Sequence, residues 1–491
     1  MRATVEPSLT IVKVQFGANF LYQLSARRRA PELLVRLDRR ARASLSSQLE
    51  RQLRDAVRAG RLRPGASLPS TRALAEQLGV SRGLVVNAYG QLRAEGYLLL
   101  RQGAAPRVAP AVVPAPPPRP EARDHVPRFN LRPDLPDFGA FPRDQWLKSY
   151  RSALKEATDR DLAYGDVRGA VPLRAALAEH LGRARRALAE PEHMFVVGGG
   201  FAQAIGLLCR VLQRRGARTI ALEDPGHPVI REIVRRTGLT TLPVPVDEQG
   251  LDVAALASAD PDAVLVTPAH QFPTGVVLEP GRRAELIAWA SAKGALILED
   301  DYDAEYRYDR APIGALQGLS PEHVAYIGSA SKTLAPTLRL GWILAPGSVV
   351  HELADEVLYT MIAPPRLQQL AFADFLGRGE LDRHLRRMRG RYRRRRDTLV
   401  RALARELPMA EIRGIAAGLH VVAVFPPAYD EGRILQEARA RGIGVYGLRE
   451  HRVRAGGAPA LVLGYATASE SGLRAAVREL GAAVDAARAS A

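Results

Sequence analysis

The 491-residue chain has a single cysteine, Cys209, so no intrachain disulfide can form and the composition fits a reducing cytoplasm. The apolar neighbours of Cys209 mark it as a core residue without a catalytic role. Lysine is scarce as well: Lys13, Lys148, Lys155, Lys293 and Lys332 are the five lysines among 70 basic residues. Long apolar runs are missing. The stretch 9–24 is broken by Lys13 and several polar residues, so it reads as neither a membrane-spanning helix nor a signal peptide, and a cytoplasmic protein with no membrane partner is the expectation. Acidic residues are outnumbered 52 to 70, and the net charge of +18 with a pI near 10.5 points to a polyanionic partner. No short-period repeat is present, so solenoids and propellers fall away. With 47% hydrophobic residues, a chain this long can build two or three domains with sizeable cores.

Prolines crowd between Pro106 and Pro127, with Pro116, Pro117 and Pro118 consecutive, and neither helical nor strand periodicity survives there. Residues 109–128 therefore read as a semi-rigid polyproline linker. It divides a basic module, 33–108, from a larger one, 129–491, and leaves 1–32 as an unassigned extension.

In the smaller module, Leu45, Leu49, Leu53 and Val57 recur at helical spacing, predicting a helix over 45–59 that Gly60 and Pro64-Gly65 end. Ser70 can cap a helix Thr71–Leu78, stopped by Gly79, and Ser81 a helix Arg82–Ala94 with Leu84, Ala88 and Leu92 inward. Two short helices across a glycine turn make a helix-turn-helix. The apolar strand and basic turn of 96–103 then occupy the place of a wing. Between Pro31 and Val108 fourteen arginines face six acidic residues, so this module carries an outsized share of the positive charge. The run Leu68-Pro69-Ser70-Thr71-Arg72-x-Leu74-Ala75-x-x-Leu78-Gly79-Val80-Ser81-Arg82, followed by Ala88-Tyr89-x-x-Leu92-x-x-Glu95-Gly96-Tyr97, resembles the winged helix of GntR-type regulators. The resemblance implies double-stranded DNA as partner. Arg72 and Arg82 would reach base edges or phosphates, Ser70, Thr71, Ser81 and Asn87 would add hydrogen bonds, and Arg101, Gln102 and Gly103 would approach the minor groove. The wing departs from the usual Gly-x-Gly-Thr-aromatic-Val pattern.

The larger module alternates helical and strand patterns (helices near 173–181 and 203–212; strands near Met194–Val197, 219–222, 264–267 and 295–298), which argues an α/β fold with a mainly parallel sheet covered by helices. Chemistry in such sheets sits at the carboxyl ends of strands. After Phe195-Val196-Val197 comes Gly198-Gly199-Gly200-Phe201-Ala202, a backbone cradle for phosphate at a helix N-terminus. Lys332 lies in Gly328-Ser329-Ala330-Ser331-Lys332. A primary amine kept where arginine is the default cation suits Schiff-base chemistry, and Ser329 and Arg339 can donate to a phosphate. The acidic run Glu299-Asp300-Asp301-Tyr302-Asp303 does not have the spaced ligands of a hard-cation loop, so no metal is expected. The basic run 383–396 has Leu385, Met388 and Tyr392 interleaved and reads as a solvated helix face.

These segments, in this order, resemble fold-type I aminotransferases that use pyridoxal 5'-phosphate. The resemblance implies Lys332 as the cofactor's anchor, Gly200, Phe201, Ala202, Ser329 and Arg339 at the phosphate, and His227 where an aromatic stacks on the ring. It implies Asp300 at the pyridinium nitrogen, Tyr302 with His270 or Gln271 at the phenolic oxygen, and Tyr164 reaching the phosphate across a dimer interface. A GntR-like head joined to such a domain resembles the MocR family of transcriptional regulators. That implies a head-to-tail homodimer in which pyridoxal phosphate on Lys332 senses an amine, an amino acid or pyridoxal phosphate itself, and so controls operator binding. The alternative is a working aminotransferase with an accessory DNA-binding head. The arginine that grips the substrate carboxylate in such enzymes is replaced here by Val462, and another arginine position used by some regulators holds Val229. Arg449 or Arg452 is the candidate substitute.

Overall fold

The computed structural model describes residues 9–15, 32–101, 104–110, 127–133, 135–309, 313–360 and 365–489. Two compact units partition the chain, Met1–Asp124 and His125–Ala491. No helix among the described residues is long and apolar enough to cross a membrane.

The first unit is built on three helices, Leu45–Arg58, Thr71–Leu78 and Arg82–Ala94. Each starts where a serine offers its Oγ to a free backbone N–H: Ser44 to Ser47, Ser70 to Ala73 and Ser81 to Leu84. Gly79 closes the second helix in the left-handed conformation (φ 62°), which a residue with a Cβ adopts at a cost. Leu49, Leu53, Leu74, Leu78, Val85, Ala88, Tyr89 and Leu92 make the core. The inward face of the third helix is thus set by Val85 and Tyr89 beside Ala88 and Leu92, while Leu84 is only partly buried. Tyr89 is large enough to fill the space beneath the second helix, and its hydroxyl donates to Pro69 O at 3.0 Å. The expected wing strand is shorter than its apolar pattern: Leu98–Leu99 pairs antiparallel with Arg107–Val108. The extension left unassigned by sequence contributes a strand, Leu9–Gln15, antiparallel to Glu32–Asp38. The proline-rich stretch lies, for residues 111–126, outside the described residues.

The second unit holds an eight-stranded sheet in the order Met194–Val197, Gly341–Leu344, Val324–Ser329, Leu296–Asp301, Ala263–Val266, Thr219–Asp224, Thr240–Asp247, Gly250–Leu251. The central pairings are parallel, and Gly341–Leu344 runs antiparallel to both neighbours. The central strands are apolar up to their carboxyl ends because both faces are covered, and the core residues divide accordingly into two clusters. A four-stranded antiparallel sheet of Glu411–Arg413, His420–Val424, Ala460–Gly464 and Tyr446–Gly447 forms a smaller subdomain. The run 383–396 lies within one 27-residue helix, Glu380–Glu406, with Leu385, Met388 and Tyr392 buried.

Candidate cofactor and DNA-binding sites

Strand alternation sorts the acidic run before any ligand is considered. Successive residues of Leu296–Asp301 point to opposite faces. Glu299 and Asp301 are consumed on the far side: Glu299 accepts from the N–H groups of Leu316 (2.9 Å) and Gln317 (3.0 Å), and Asp301 pairs with Arg185 and accepts from the Tyr326 hydroxyl, both at 2.6 Å. Asp300 faces a cavity of about 430 Å³, and its buried Oδ1 has no hydrogen-bond partner. Burial pushes the Asp300 carboxyl well above the usual range, with Asp301, Asp303 and Glu223 adding to the effect and Lys332 opposing it. An unpartnered acid in this setting calls for a cationic or N–H partner supplied from outside the chain.

The same cavity collects Gly199, Gly200, Phe201, Ala202, His227, Tyr302, Ser329, Lys332 and Arg339. One end is built largely from backbone at Gly199, Gly200, Phe201 and Ala202. Gly200 caps the helix Phe201–Arg214 at φ 64°, ψ −153°, a conformation open essentially to glycine. A Cβ at Gly341 would lie 2.8 Å from Gly200 Cα, so a glycine at 341 lets the strand Gly341–Leu344 close against the Gly200 turn. Arg339, itself in the left-handed region (φ 48°), donates to Gly199 O at 2.5 Å and so lies against the same turn. At the other wall the His227 ring stacks on Phe272, centroids 5.3 Å apart, and its Nδ1 accepts from Val229 N.

Two residues expected to line the cavity do not. Gln271 turns away, its amide donating to Glu223, Pro225 O and Phe272 O. His270 is buried behind the wall, 3.1 Å from both oxygens of Asp303 and 3.1 Å from the Tyr302 hydroxyl. The tight turn after the Ala263–Val266 strand carries these side chains into the protein and presents Phe272 in their place. Tyr164 is 98% exposed, away from its own cavity. Neither Arg449 nor Arg452 reaches the cavity; both line a neighbouring one, and Arg452 donates to Gly456 O and Ala458 O. Val462, in the expected clamp position, is buried mid-sheet.

The polar lining residues that sequence reasoning passed over are Glu223, Arg231, Thr241, Thr267 and Ser331. Glu223 followed a recognised strand, and burial pushes its carboxyl up to about 7 despite donation from Thr267 and Gln271. Arg231 stands four residues after His227, one turn along the helix Pro228–Arg236, so the two share a face.

In the first unit, Arg72, Ser81, Arg82, Asn87 and Arg101 are exposed with Ser70, and Thr71 is half-buried. Ser70 and Ser81 spend their oxygens on capping and keep a hydroxyl proton to donate. Gln102 and Gly103 lie outside the described residues.

Residues 45–108 match the family described as bacterial regulatory proteins of the gntR family, and residues 138–462 match aminotransferase class I and II. The chain is 34% identical over 460 residues to the pyridoxine biosynthesis transcriptional regulator PdxR of Corynebacterium glutamicum, covering 92% of this chain and 99% of that one. It is 31% identical to the probable rhizopine catabolism regulatory protein MocR of Rhizobium meliloti, covering 90% and 94%. The chain belongs to the MocR family of transcriptional regulators. Among solved structures, the α-aminoadipate aminotransferase LysN of Thermus thermophilus, complexed with a phosphopyridoxyl-leucine, superposes with a TM-score of 0.67 at 25% identity, over 75% of this chain and 94% of that one.

As a MocR protein it is pyridoxal-phosphate dependent and carries a DNA-binding head, and the cavity chemistry fits that cofactor. The orphaned Asp300 oxygen suits a protonated pyridine nitrogen, the glycine cradle with Arg339 suits a phosphate, and Lys332 supplies an amine to the same cavity.

Proposed function

We propose that this MocR protein is a regulator whose operator affinity is set by what Lys332 holds. The observation that carries the reading is the meeting of Lys332, the Gly200 cradle, Arg339 and the unpartnered Asp300 around one cavity, in a chain that also carries a winged helix. When bound, pyridoxal phosphate supplies an aldehyde that can pass from the lysine amine to the amine of an effector.

Each residue then has a task. Lys332 anchors the cofactor; the N–H groups at Gly200, Phe201 and Ala202, with Ser329 and Arg339, hold its phosphate. Asp300 keeps the pyridine nitrogen protonated, Tyr302 faces the phenolic oxygen, and the His227 ring, backed by Phe272, stacks on the cofactor. Tyr164, exposed on its own chain, reaches the phosphate of a second copy in a head-to-tail homodimer. The effector is an amine, an amino acid or pyridoxal phosphate itself. The name of the Corynebacterium relative, a regulator of pyridoxine biosynthesis, supports the last of these. Ser70, Thr71, Arg72, Ser81, Arg82, Asn87 and the wing contact double-stranded operator DNA in the cytoplasm.

The buried Val462 at the clamp position, with Arg449 and Arg452 outside the cavity, leaves the aminotransferases' carboxylate clamp unfilled and favours sensing over α-amino-acid transamination. Arg231, on another element of the lining, is placed to receive an anionic effector. The test is spectroscopic. Protein loaded with pyridoxal phosphate and desalted is expected to keep a visible absorption band at one cofactor per chain, Lys332→Ala to lose it, and no amino donor to be turned over steadily. A colourless wild-type protein, or sustained keto-acid production, contradicts the proposal.

A further inference from the structure

Behind the cavity lies a group of polar side chains that the reading above does not use. The His270 ring sits in a slot made by two glycines in the left-handed region, Gly275 (φ 74°) and Gly418 (φ 65°). A Cβ at Gly275 would lie 3.3 Å from His270 Nε2, and one at Gly418 would collide with the ring and come within 2.6 Å of Asp303 Oδ2. The backbone has given up side chains to seat an imidazole here.

The seat fixes the ring's proton. Nδ1 lies 3.1 Å from each oxygen of Asp303, whereas Nε2 is buried with no hydrogen-bond partner. A carboxylate facing Nδ1 requires a donor, so Nδ1 carries a proton whether the ring is neutral or charged. Tyr302 Oη is also 3.1 Å from Nδ1. A protonated Nδ1 cannot accept, so its one proton, facing Asp303 and shared at most with Tyr302 Oη, bars Tyr302 from donating to this ring and leaves the phenol its own proton for the cavity it lines. Burial, with Asp303, Asp300, Glu223 and Tyr465 nearby, holds the Tyr302 phenol well above its ordinary range and so protonated. His420, whose ring centroid is 5.0 Å from that of His270, is kept neutral mainly by burial, with His270, Lys332 and His451 adding to this, and its Nε2 lies 3.0 Å from Pro273 O.

We infer that Asp303 and His270 are positioning residues that orient Tyr302 as a fixed proton donor toward the phenolic oxygen of the cofactor. The inference rests on the reading that the cavity holds pyridoxal phosphate on Lys332. A donor at that oxygen stabilises its negative charge, so losing the donor lets the cofactor hold its proton to higher pH.

The experiment is a pH titration of the visible band in full-length protein loaded with pyridoxal phosphate. Tyr302→Phe, His270→Phe and Asp303→Asn are each expected to raise the midpoint by about one unit, a roughly tenfold change in proton affinity. Asp303→Asn or His270→Phe added to Tyr302→Phe is expected to shift it no further. If His270→Phe does not fold, as judged by circular dichroism, the isosteric Asp303→Asn carries the test. Unshifted midpoints in coloured single variants, or a further shift in the Tyr302→Phe background, overturn the inference. Because His270, Asp303 and His420 bring possible ligand atoms within 4.8 Å of one another, stoichiometric metal in the purified protein, lost in His420→Ala, overturns it too. Absence of any visible band in the wild type instead overturns the cofactor reading on which it rests.

Discussion

At the scale of single residues, the cavity separates what adjacency in the sequence can reveal from what it cannot. Asp300, rather than its acidic neighbours, faces the cavity because strand alternation turns Glu299 and Asp301 to the other side. That the three divide in this way follows from a period of two; which face meets the cavity is set by the fold. His270 and Gln271 differ: they follow a strand within a tight turn, and which way a turn aims its side chains depends on partners such as Asp303 and Glu223 that only the fold supplies. Arg231 was illegible for a related reason, since its place at the cavity depends on which face of Pro228–Arg236 turns inward. Its Nη2 donates to Glu450 O over a long 3.5 Å, and a guanidinium has five N–H donors, so donors remain for an anionic ligand. Arg231→Met is expected to weaken amines bearing a carboxylate or sulfonate by about tenfold, roughly 1.4 kcal/mol, and to leave simple alkylamines unchanged. The effector-induced change in the cofactor's absorption measures this; equal losses for both ligand classes would refute an anion-binding role.

At the scale of elements, the helices Thr71–Leu78 and Arg82–Ala94 match their expected bounds because their ends are marked locally, by Ser70, Gly79 and Ser81. The inward face of the third helix was harder. Leu84 is as apolar as Val85 beside it, yet Val85 and Tyr89 take the core, since packing against the neighbouring helices decides the face. The pairing of Leu9–Gln15 with Glu32–Asp38 spans a long separation and leaves no local signal. One long-range contact ties an element to the site: His384, on the Glu380–Glu406 helix, has Nε2 3.0 Å from the carbonyl of Thr333, next to Lys332. Burial, assisted by Arg387 and Arg391, lowers the His384 pKa from 6.5 to about 4, although the Thr333 carbonyl opposes this. Between those values the unfolded chain binds the extra proton and the folded one does not. Stability contributed by neutral His384 is therefore present above pH 6.5 and lost as pH falls toward 4. His384→Gln can keep the donation to Thr333 and cannot titrate, so it should show a loss of stability smaller by about 2 kcal/mol over that window. Unfolding midpoints on either side of it provide the measurement, and parallel pH profiles for both proteins would refute the assignment.

At the scale of the whole molecule, the architecture was legible because each unit announces itself through a different periodicity. Short capped helices with an excess of arginine mark the head, and apolar strands alternating with helices mark the larger unit, whose sheet pairs in parallel across its centre. The strand Gly341–Leu344 is absent from the sequence reading, and its antiparallel course has no sequence mark, because a buried strand is apolar whichever way it runs. Joining the two units in one chain makes sense as regulation only if occupancy of the cavity changes DNA affinity, since a ligand shifts an equilibrium only through differential binding to its two states. The most direct measurement is therefore the affinity of the full-length protein for DNA upstream of its own gene, at one fixed salt concentration because phosphate contacts make affinity salt-dependent. It should be made with and without pyridoxal phosphate, for wild type and Lys332→Ala. The wild type is expected to change its dissociation constant by about fivefold or more on cofactor addition, and Lys332→Ala to bind the same DNA without responding. Identical responses in the two proteins, or no response in the wild type to cofactor or to any amine effector, would contradict regulation through Lys332.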